Sequence, residues 1–376
     1  MSTDSAIRWT HRALPLVTGC DYEGPGCRSC YAPRWAYRFS HHPNAQLAAR
    51  YQGTVAKTAS SRIVWTGHVR YNDQVLHTLL LVSRRKQLRW FISRDGDLFH
   101  SQVTDAQIAR VFAAALLRPD QQLILLTKRA TRARSFLADP GSAALIQDEA
   151  RRLLEEVPEK KRCLLAQHRL QEFGTSNSIL PMANVVVGFS AEDQRRFDER
   201  WVEFREIAAA GWMIATSAEP LLRPLLLPSD YLALGDRVWL IVGGESGPTA
   251  RPVHPAWLRS LRDQCVPAGV LFFVKQWGVF TEVALAGAVQ ANILAGTTTE
   301  ELVGYARDCI VVWPDGRSAV PERSAPWWAA QRFGADRETV RPGEGAVLMR
   351  RVGVASAGYL LDGQDWDRSP PLPAAA

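Results

Sequence analysis

The stretch RVWLIVGGESG, residues 237–247, runs through five consecutive apolar residues and stops at two glycines, a glutamate and a serine. A strand with one face in water alternates apolar and polar side chains. This run does not alternate, so both of its faces are covered, as in a parallel sheet sandwiched by helices. The same design recurs on either side. GVLFFVKQWG (269–278) follows it, and GWMIATSAEP (211–220), NVVVGFSAED (184–193), QLILLTKR (122–129) and LRWFISRDGDLFH (88–100) precede it. ALPLVTG (13–19) is the earliest, which makes seven runs in all.

Helical patterns lie between them. TDAQIARVFAAALLRP (104–119) opens on a threonine N-cap and ends at a proline, AEDQRRFDERWVEFREIAAAG (191–211) closes on a glycine, and HPAWLRSLRDQCVPAG (254–269) joins the sixth run to the seventh. Repeated strand–helix units imply right-handed crossovers, so the expected fold is α/β, a full or partial (β/α) TIM-like barrel of mostly parallel strands. A doubly wound open sheet is the alternative, since periodicity does not decide closure. Residues 134–182 interrupt the rhythm as a charged, helical insertion. The expected division is a barrel over 1–278 and a C-terminal extension over 279–376 that packs on it and ends in a frayed RSPPLPAAA.

No apolar run approaches the roughly 18 residues of a membrane span, and Met1–Trp9 is too polar for a secretory signal, so a cytoplasmic protein is expected. The net charge of +7 leans toward a phosphate-bearing or nucleic-acid partner, against the plainer reading of a basic surface with no such role. The Lys and Arg residues read as spread along the chain, without a basic arm or tail.

Six cysteines in 376 residues do not make a disulfide scaffold. Cys163, Cys265 and Cys309 are scattered among apolar neighbours and read as plain buried thiols. Cys20, Cys27 and Cys30 are clustered, with six residues and then two between them, on the loop after the first run. Loops at the C-terminal ends of barrel strands carry the reactive groups of such folds. Gly24, Pro25 and Gly26 permit a sharp turn between the first two thiols. Three thiolates suit a cubane iron–sulfur cluster with one iron left open. They also suit a zinc ion completed by His11, His41, His42 or His68, and the spacing alone leaves both readings standing, with coincidence beside them.

The other strand ends carry charge. Lys128 and Arg129 end the third run and could hold a carboxylate or a phosphate, unless they are a solvated pair at a helix start. Ser190 and Glu192 end the fourth, where Ser190 could equally N-cap the next helix. Glu219 ends the fifth, Glu245 the sixth and Lys275 the seventh, and these three are the candidate catalytic residues. Asp97, Glu192, Glu219 and Glu245 could grip an amine or sugar, or pair with Lys128, Arg129 and Lys275 as a structural network. Trp277 could stack a base or simply pack the barrel rim.

The chain resembles a family of bacterial and phage-encoded proteins of unassigned function, grouped by fold with the radical S-adenosylmethionine (SAM) enzymes. The resemblance is carried by VTGCDYEGPGCRSCYA (17–32), WTGHVRYN (65–72), DLFH (97–100), LLTKR (125–129), VGFSAEDQ (187–194) and SAEPLL (217–222). It continues through VGGESGPTARPVHPAW (242–257), FFVKQWG (272–278) and MRRVGVASAGYLLDGQDWD (349–367), in order along nearly the whole chain.

The resemblance implies a 4Fe-4S cluster on Cys20, Cys27 and Cys30, with S-adenosyl-L-methionine chelating the open iron. One-electron reduction would then cleave SAM to a 5′-deoxyadenosyl radical that abstracts hydrogen from substrate. It further implies SAM contacts from Ser190 and Glu192, an electron donor, and a three-Cys-motif partner protein. The substrate it favours is a nucleotide or nucleic acid, in modification or repair. Two features depart from the superfamily's usual pattern. The first cysteine gap is six rather than three, and the Gly-Gly-Glu tripeptide expected after the second strand follows the sixth, as Gly243-Gly244-Glu245. Asp97, after the second strand, is the candidate replacement for the missing carboxylate, with Lys128, Arg129 and Glu245 as further cofactor contacts. The rival functions are a zinc-binding nucleic-acid-binding module without catalysis and a metal-dependent hydrolase using the strand-end carboxylates.

Overall fold

The computed structural model describes residues 5–166, 179–283, 309–319 and 345–373. Each of the seven apolar runs contains a strand of one parallel sheet: β1 (Arg12–Leu14), β2 (Arg89–Ile92), β3 (Gln122–Thr127), β4 (Val185–Ser190), β5 (Met213–Ala218), β6 (Val238–Gly243) and β7 (Leu271–Gln276). Their order in the sheet is their order in the chain. A doubly wound sheet reverses direction at a switch point. Here nothing reverses, and the sheet curls into a partial barrel.

The curl is visible in contacts between strands four places apart. Trp9 meets Phe91 of β2 at 4.8 Å and Trp239 of β6 at 5.8 Å between ring centroids. The Arg89 guanidinium of β2 lies 5.2 Å from the centre of the same Trp239 ring. Trp9, Ile124, Val186, Ala215, Ile241 and Phe273 form part of the interior cluster, one side chain from each of β3, β4, β5, β6 and β7 around the tryptophan. Side chains two apart on a strand share a face. The same interior rows therefore climb from these apolar residues to Lys128, Ser190, Ser217 and Glu219, Glu245 and Lys275.

Helices cover the outside. α1 (Ala32–Ser40) and α2 (Ala45–Ala49) follow the cysteine loop, and α3 (Asp105–Leu117) starts at the expected Thr104 with a capping box to Gln107. α4 (Ala130–Ala138) and α5 (Gly141–Glu156) make up most of the described part of the insertion, and residues 167–178 of it lie outside the described residues. α6 (Gln194–Ala209) and α7 (Pro255–Cys265) follow, beside shorter helical turns such as Leu76–Leu80 and Ser229–Leu232. Asp193, not Ser190, caps α6, because its carboxylate accepts the Arg196 N–H at 2.9 Å. Among the described residues no helix is long and apolar enough to cross a membrane.

Beyond β7, strands Phe280–Glu282, Val347–Arg351, Cys309–Val312 and Ser318–Ala319 form a four-stranded antiparallel sheet in that spatial order. Of the stretch expected to fray, residues 374–376 lie outside the described residues, and the described part is held against the barrel. Asp367 bridges to Phe273 on the free edge of β7, the Val274 N–H donates to Trp366 O at 2.9 Å, and Pro370 O accepts from the Arg89 guanidinium. Gln122 donates to Pro371 O at 3.0 Å, so this tail spans from β7 to β2 and β3. Cys163 also departs from expectation: it is exposed, while Cys265 and Cys309 are buried.

Candidate active site

A cavity of about 240 Å³ opens at the C-terminal ends of the strands, and Cys20, Cys27 and Cys30 all line it. Trp9, Phe91 and Leu126 are among its apolar lining. Ser93, Ser190, Ser217, Glu219 and Lys275 also line it, as the tops of the interior rows. All three cysteines are free thiols. Burial pushes the Cys20 thiol up to about 12, with Asp97 adding to the rise and Arg129 opposing it. Burial likewise raises Cys30 to about 11. Thiols held protonated in this way lose their protons when a cationic metal centre replaces them.

Three ion-pair systems hold the loop that carries the thiols. In the first, fully buried Glu192 accepts from Lys128 on one oxygen and from Arg200 at 2.8 Å on the other. Burial alone would raise the Glu192 pKa, but the two cations outweigh it and hold the carboxyl below its ordinary range. Gly26 rests on this carboxylate: a Cβ there would stand 2.6 Å from Glu192 Cγ. In the second, Arg251 makes a bidentate pair with Glu245 (2.9 and 2.6 Å) and donates to Pro25 O at 3.0 Å. In the third, Arg129 donates to Asp97 at 2.8 Å and to Asp21, and its Nη atoms lie 3.9 Å from Cys20 Sγ. Burial pulls the Arg129 pKa down, yet Asp97, Cys20 and Asp21 more than restore it.

Asp97 behaves differently from the sequence expectation. Its two oxygens accept from the Phe99 N–H (2.9 Å), Thr127 Oγ1 (2.7 Å), the Lys128 N–H (3.1 Å) and Arg129. A carboxylate has about four acceptor positions, and four donors of the chain itself occupy them. Glu245 is similarly committed to Arg251, through Nε and Nη2 of its side chain and the Arg251 N–H at 2.8 Å. Glu219 is the exception. Its described contacts, Lys275 at 2.5 Å and Gln276 at 3.4 Å, both use Oε1.

The structural network foreseen as one option is therefore present: Glu192 with Lys128, Asp97 with Arg129 and Glu219 with Lys275, with Arg251 as the unforeseen partner of Glu245. Among the described residues no three His, Cys, Asp or Glu side chains converge as ligands of a single metal ion. The strand-end carboxylates are instead each committed to a cation of the chain itself. None of His11, His41, His42 and His68 lines the cavity with the thiols.

Several site residues escaped the sequence reading. Ser93 lines the cavity with its hydroxyl buried and without a protein partner among the described residues, on a backbone of φ 61° that a non-glycine rarely adopts. Trp9 Nε1, beside it in the lining, is likewise unpartnered. His100 is buried, accepts the Gln102 N–H on Nδ1 at 3.2 Å, and sets Nε2 3.4 Å from Asp21. Burial and the nearby Arg129 lower its pKa. Trp277 donates to Leu360 O at 2.7 Å and packs against the core, which fits rim packing. The unpartnered hydroxyl and indole, the three free thiols and the open mouth suit a polar ligand seated on a metal–sulfur centre.

The model of a family described as "Protein of unknown function (DUF5131)" matches residues 4–370. No curated protein matches the chain. Among solved structures, the chain is similar to a cysteine-to-serine mutant of spore photoproduct lyase at 14% identity, covering 71% of this chain and 64% of that one, with a TM-score of 0.34. It is also similar to a doubly substituted form of that enzyme with bound AdoMet and dinucleoside spore photoproduct, at 12% identity, covering 70% and 63%, with a TM-score of 0.33. The chain thus spans less than two thirds of the length of these structures.

Proposed function

The chain belongs to the DUF5131 family, proteins of unknown function, and from that premise we propose that it is a radical SAM-type enzyme acting on a nucleotide or nucleic acid. The observation that carries the reading is the meeting of three free thiols, on one clamped loop, with a polar-topped cavity at the strand ends. Cys20, Cys27 and Cys30 would hold the 4Fe-4S cluster. With SAM at the remaining iron, that centre supplies one-electron cleavage of SAM and hydrogen abstraction.

The chain's own residues do the rest. Glu192 with Lys128 and Arg200, and Glu245 with Arg251, fix the loop so that the thiols keep their spacing. Asp97 orients Arg129 against Cys20 and Asp21 rather than gripping the SAM amine. The groups with capacity to spare are Ser93, Ser190, Ser217 and the second oxygen of Glu219. These are the proposed contacts for the amine and hydroxyls of SAM, and Lys275 Nζ is the cation facing an anionic group. Trp9, Phe91 and Leu126 keep water from the floor. A one-electron donor is required, and the three-Cys-motif partner protein stays among the expected partners.

The test is anaerobic reconstitution with iron and sulfide, then dithionite and SAM. The expected outcome is a brown protein absorbing near 400 nm that forms 5′-deoxyadenosine, with both properties lost when all three cysteines become alanine. An intact cluster that forms no 5′-deoxyadenosine would refute the enzyme reading. Colourless protein carrying stoichiometric zinc would restore the binding-module alternative.

A further inference from the structure

Between Glu23 and Asp73 the chain carries no Asp or Glu. Seven of the 45 Lys and Arg residues lie in that span and none of the 38 acids, so the remainder is balanced at 38 against 38 and the span holds the whole net charge of +7. The structure shows where this charge sits. Residues 24–72 contain the end of the cysteine loop, α1, α2 and the hairpin Val55–Lys57/Ile63–Trp65, joined through a small core of Ala36, Leu47 and Tyr51 with Phe39, Val55 and Trp65 against it. Arg28, Arg34, Arg38, Lys57, Arg62 and Arg70 are exposed and Arg50 is half-buried, and none has a carboxylate partner among the described residues. Elsewhere in the barrel Arg110, Arg118, Arg129, Arg200 and Arg251 are all paired with carboxylates.

Aromatic side chains stand among these cations. Trp35 is 45% and Tyr31 42% exposed, although large aromatics are normally buried. Trp35 stacks on Phe39 at 5.9 Å, and the Arg38 guanidinium lies 5.2 Å from its ring. Tyr31 and Trp65 belong at once to this basic module and to the cavity lining. Unpaired cations set beside exposed aromatic rings, as Arg38 is beside Trp35, suit a phosphate backbone with unpaired bases to stack.

We infer that residues 24–72 form a single-strand nucleic-acid platform that leads one unstacked base past Tyr31 and Trp65 into the cavity. The inference deepens the proposed function and rests on it for the fate of that base. It narrows the substrate from a free nucleotide, which needs one phosphate contact, to a polymer, which can use a module of seven charges without carboxylate partners among the described residues. Chemistry on a base requires the base out of its stack, which favours single strand over duplex.

The experiment measures binding by fluorescence anisotropy of labelled 20-mer oligonucleotides, single-stranded and duplex, to the reconstituted full chain over a series of salt concentrations. Single strand is expected to bind more tightly than duplex and to weaken linearly in log–log salt plots. Arg34→Glu with Arg38→Glu should weaken it at least about tenfold and flatten the salt slope by about 1.4, or about 0.7 per lost phosphate contact. Trp35→Ala should weaken it about fivefold or more with the slope unchanged. Reversing Lys160 and Lys161, exposed on the far insertion, should change neither. Equal competition by polyglutamate together with an inert Trp35→Ala would overturn the inference in favour of an acidic protein partner. Equal loss from the Lys160/Lys161 reversal would reduce it to general charge, and failure to bind would end it. Formation of 5′-deoxyadenosine without oligonucleotide separates the two readings: binding lost with SAM cleavage intact sinks the platform, and binding kept without SAM cleavage sinks the enzyme.

Discussion

The strand ends and the module over residues 24–72 both concentrate charge around one cavity, yet they spend it in opposite ways. At the strand ends each carboxylate has its own cation: Glu192 has Lys128 and Arg200, Glu245 has Arg251, and Asp97 has Arg129. In the module the span itself carries no Asp or Glu, and its cations have no carboxylate partners among the described residues. Buried charge without a partner is costly, so the interior network is a requirement of folding. Exposed charge without a partner costs little to folding and is free to act on something outside the molecule.

Removing charge should therefore have unequal effects in the two regions. The largest is expected for Glu192→Gln, which leaves Lys128 and Arg200 facing each other in the interior and should cost about 3–5 kcal/mol in urea unfolding. A loss under about 1 kcal/mol would mean that the network is more hydrated than its burial indicates. Gly26→Ala comes next. Its methyl group collides with a Glu192 side chain that is pinned on both oxygens, so about 1–3 kcal/mol and a lower iron content after reconstitution are expected.

His254 tests a buried titratable group outside both charge systems. It caps α7 by accepting the Ala256 N–H at 3.0 Å on Nδ1, and its Nε2 lies 3.1 Å from Gly345 O. Burial lowers its pKa from the ordinary 6.5. A histidine held neutral in this way contributes stability that is complete above pH 6.5 and is lost as pH falls through its folded value. Thermal denaturation between pH 7.5 and 5 should show a loss of stability toward the acid end that His254→Asn, a cap without a proton to gain, removes. The smallest effect belongs to the module. Arg28→Glu with Arg62→Glu should leave stability within about 0.5 kcal/mol, or raise it slightly by relieving repulsion. A large loss there would show that these cations serve the fold after all.

Much of this was legible in the sequence. Non-alternating runs such as NVVVGFS became β4 and its neighbours because a strand buried on both faces leaves an unmistakable composition. The three cysteines and the strand-end charges were readable for the same reason: polar residues closing apolar runs mark the C-terminal ends of strands. What the residues would do there was less legible. Asp97 and Glu245 look available in one dimension, and only the fold brings Thr127, Arg129 and Arg251 onto them. Ser93 gave no signal, since its left-handed backbone is a product of the turn between β2 and the cavity. The basic module was hidden differently. Its Lys and Arg residues are only slightly denser than elsewhere, 7 in 49 residues against 38 in 327, and the informative feature is the missing acids, which a search for basic clusters does not register.

The tail from Trp366 to Pro371 runs from the free edge of β7 to Arg89 and Gln122 on β2 and β3. It follows every barrel strand in the chain, so during synthesis it leaves the ribosome after all of them. The Arg89 guanidinium, made some 280 residues earlier, waits for Pro370 before its hydrogen bonding is complete. The cysteine loop emerges earlier still. The lower end of the barrel is thus sealed only after the thiols at the upper end have already been made.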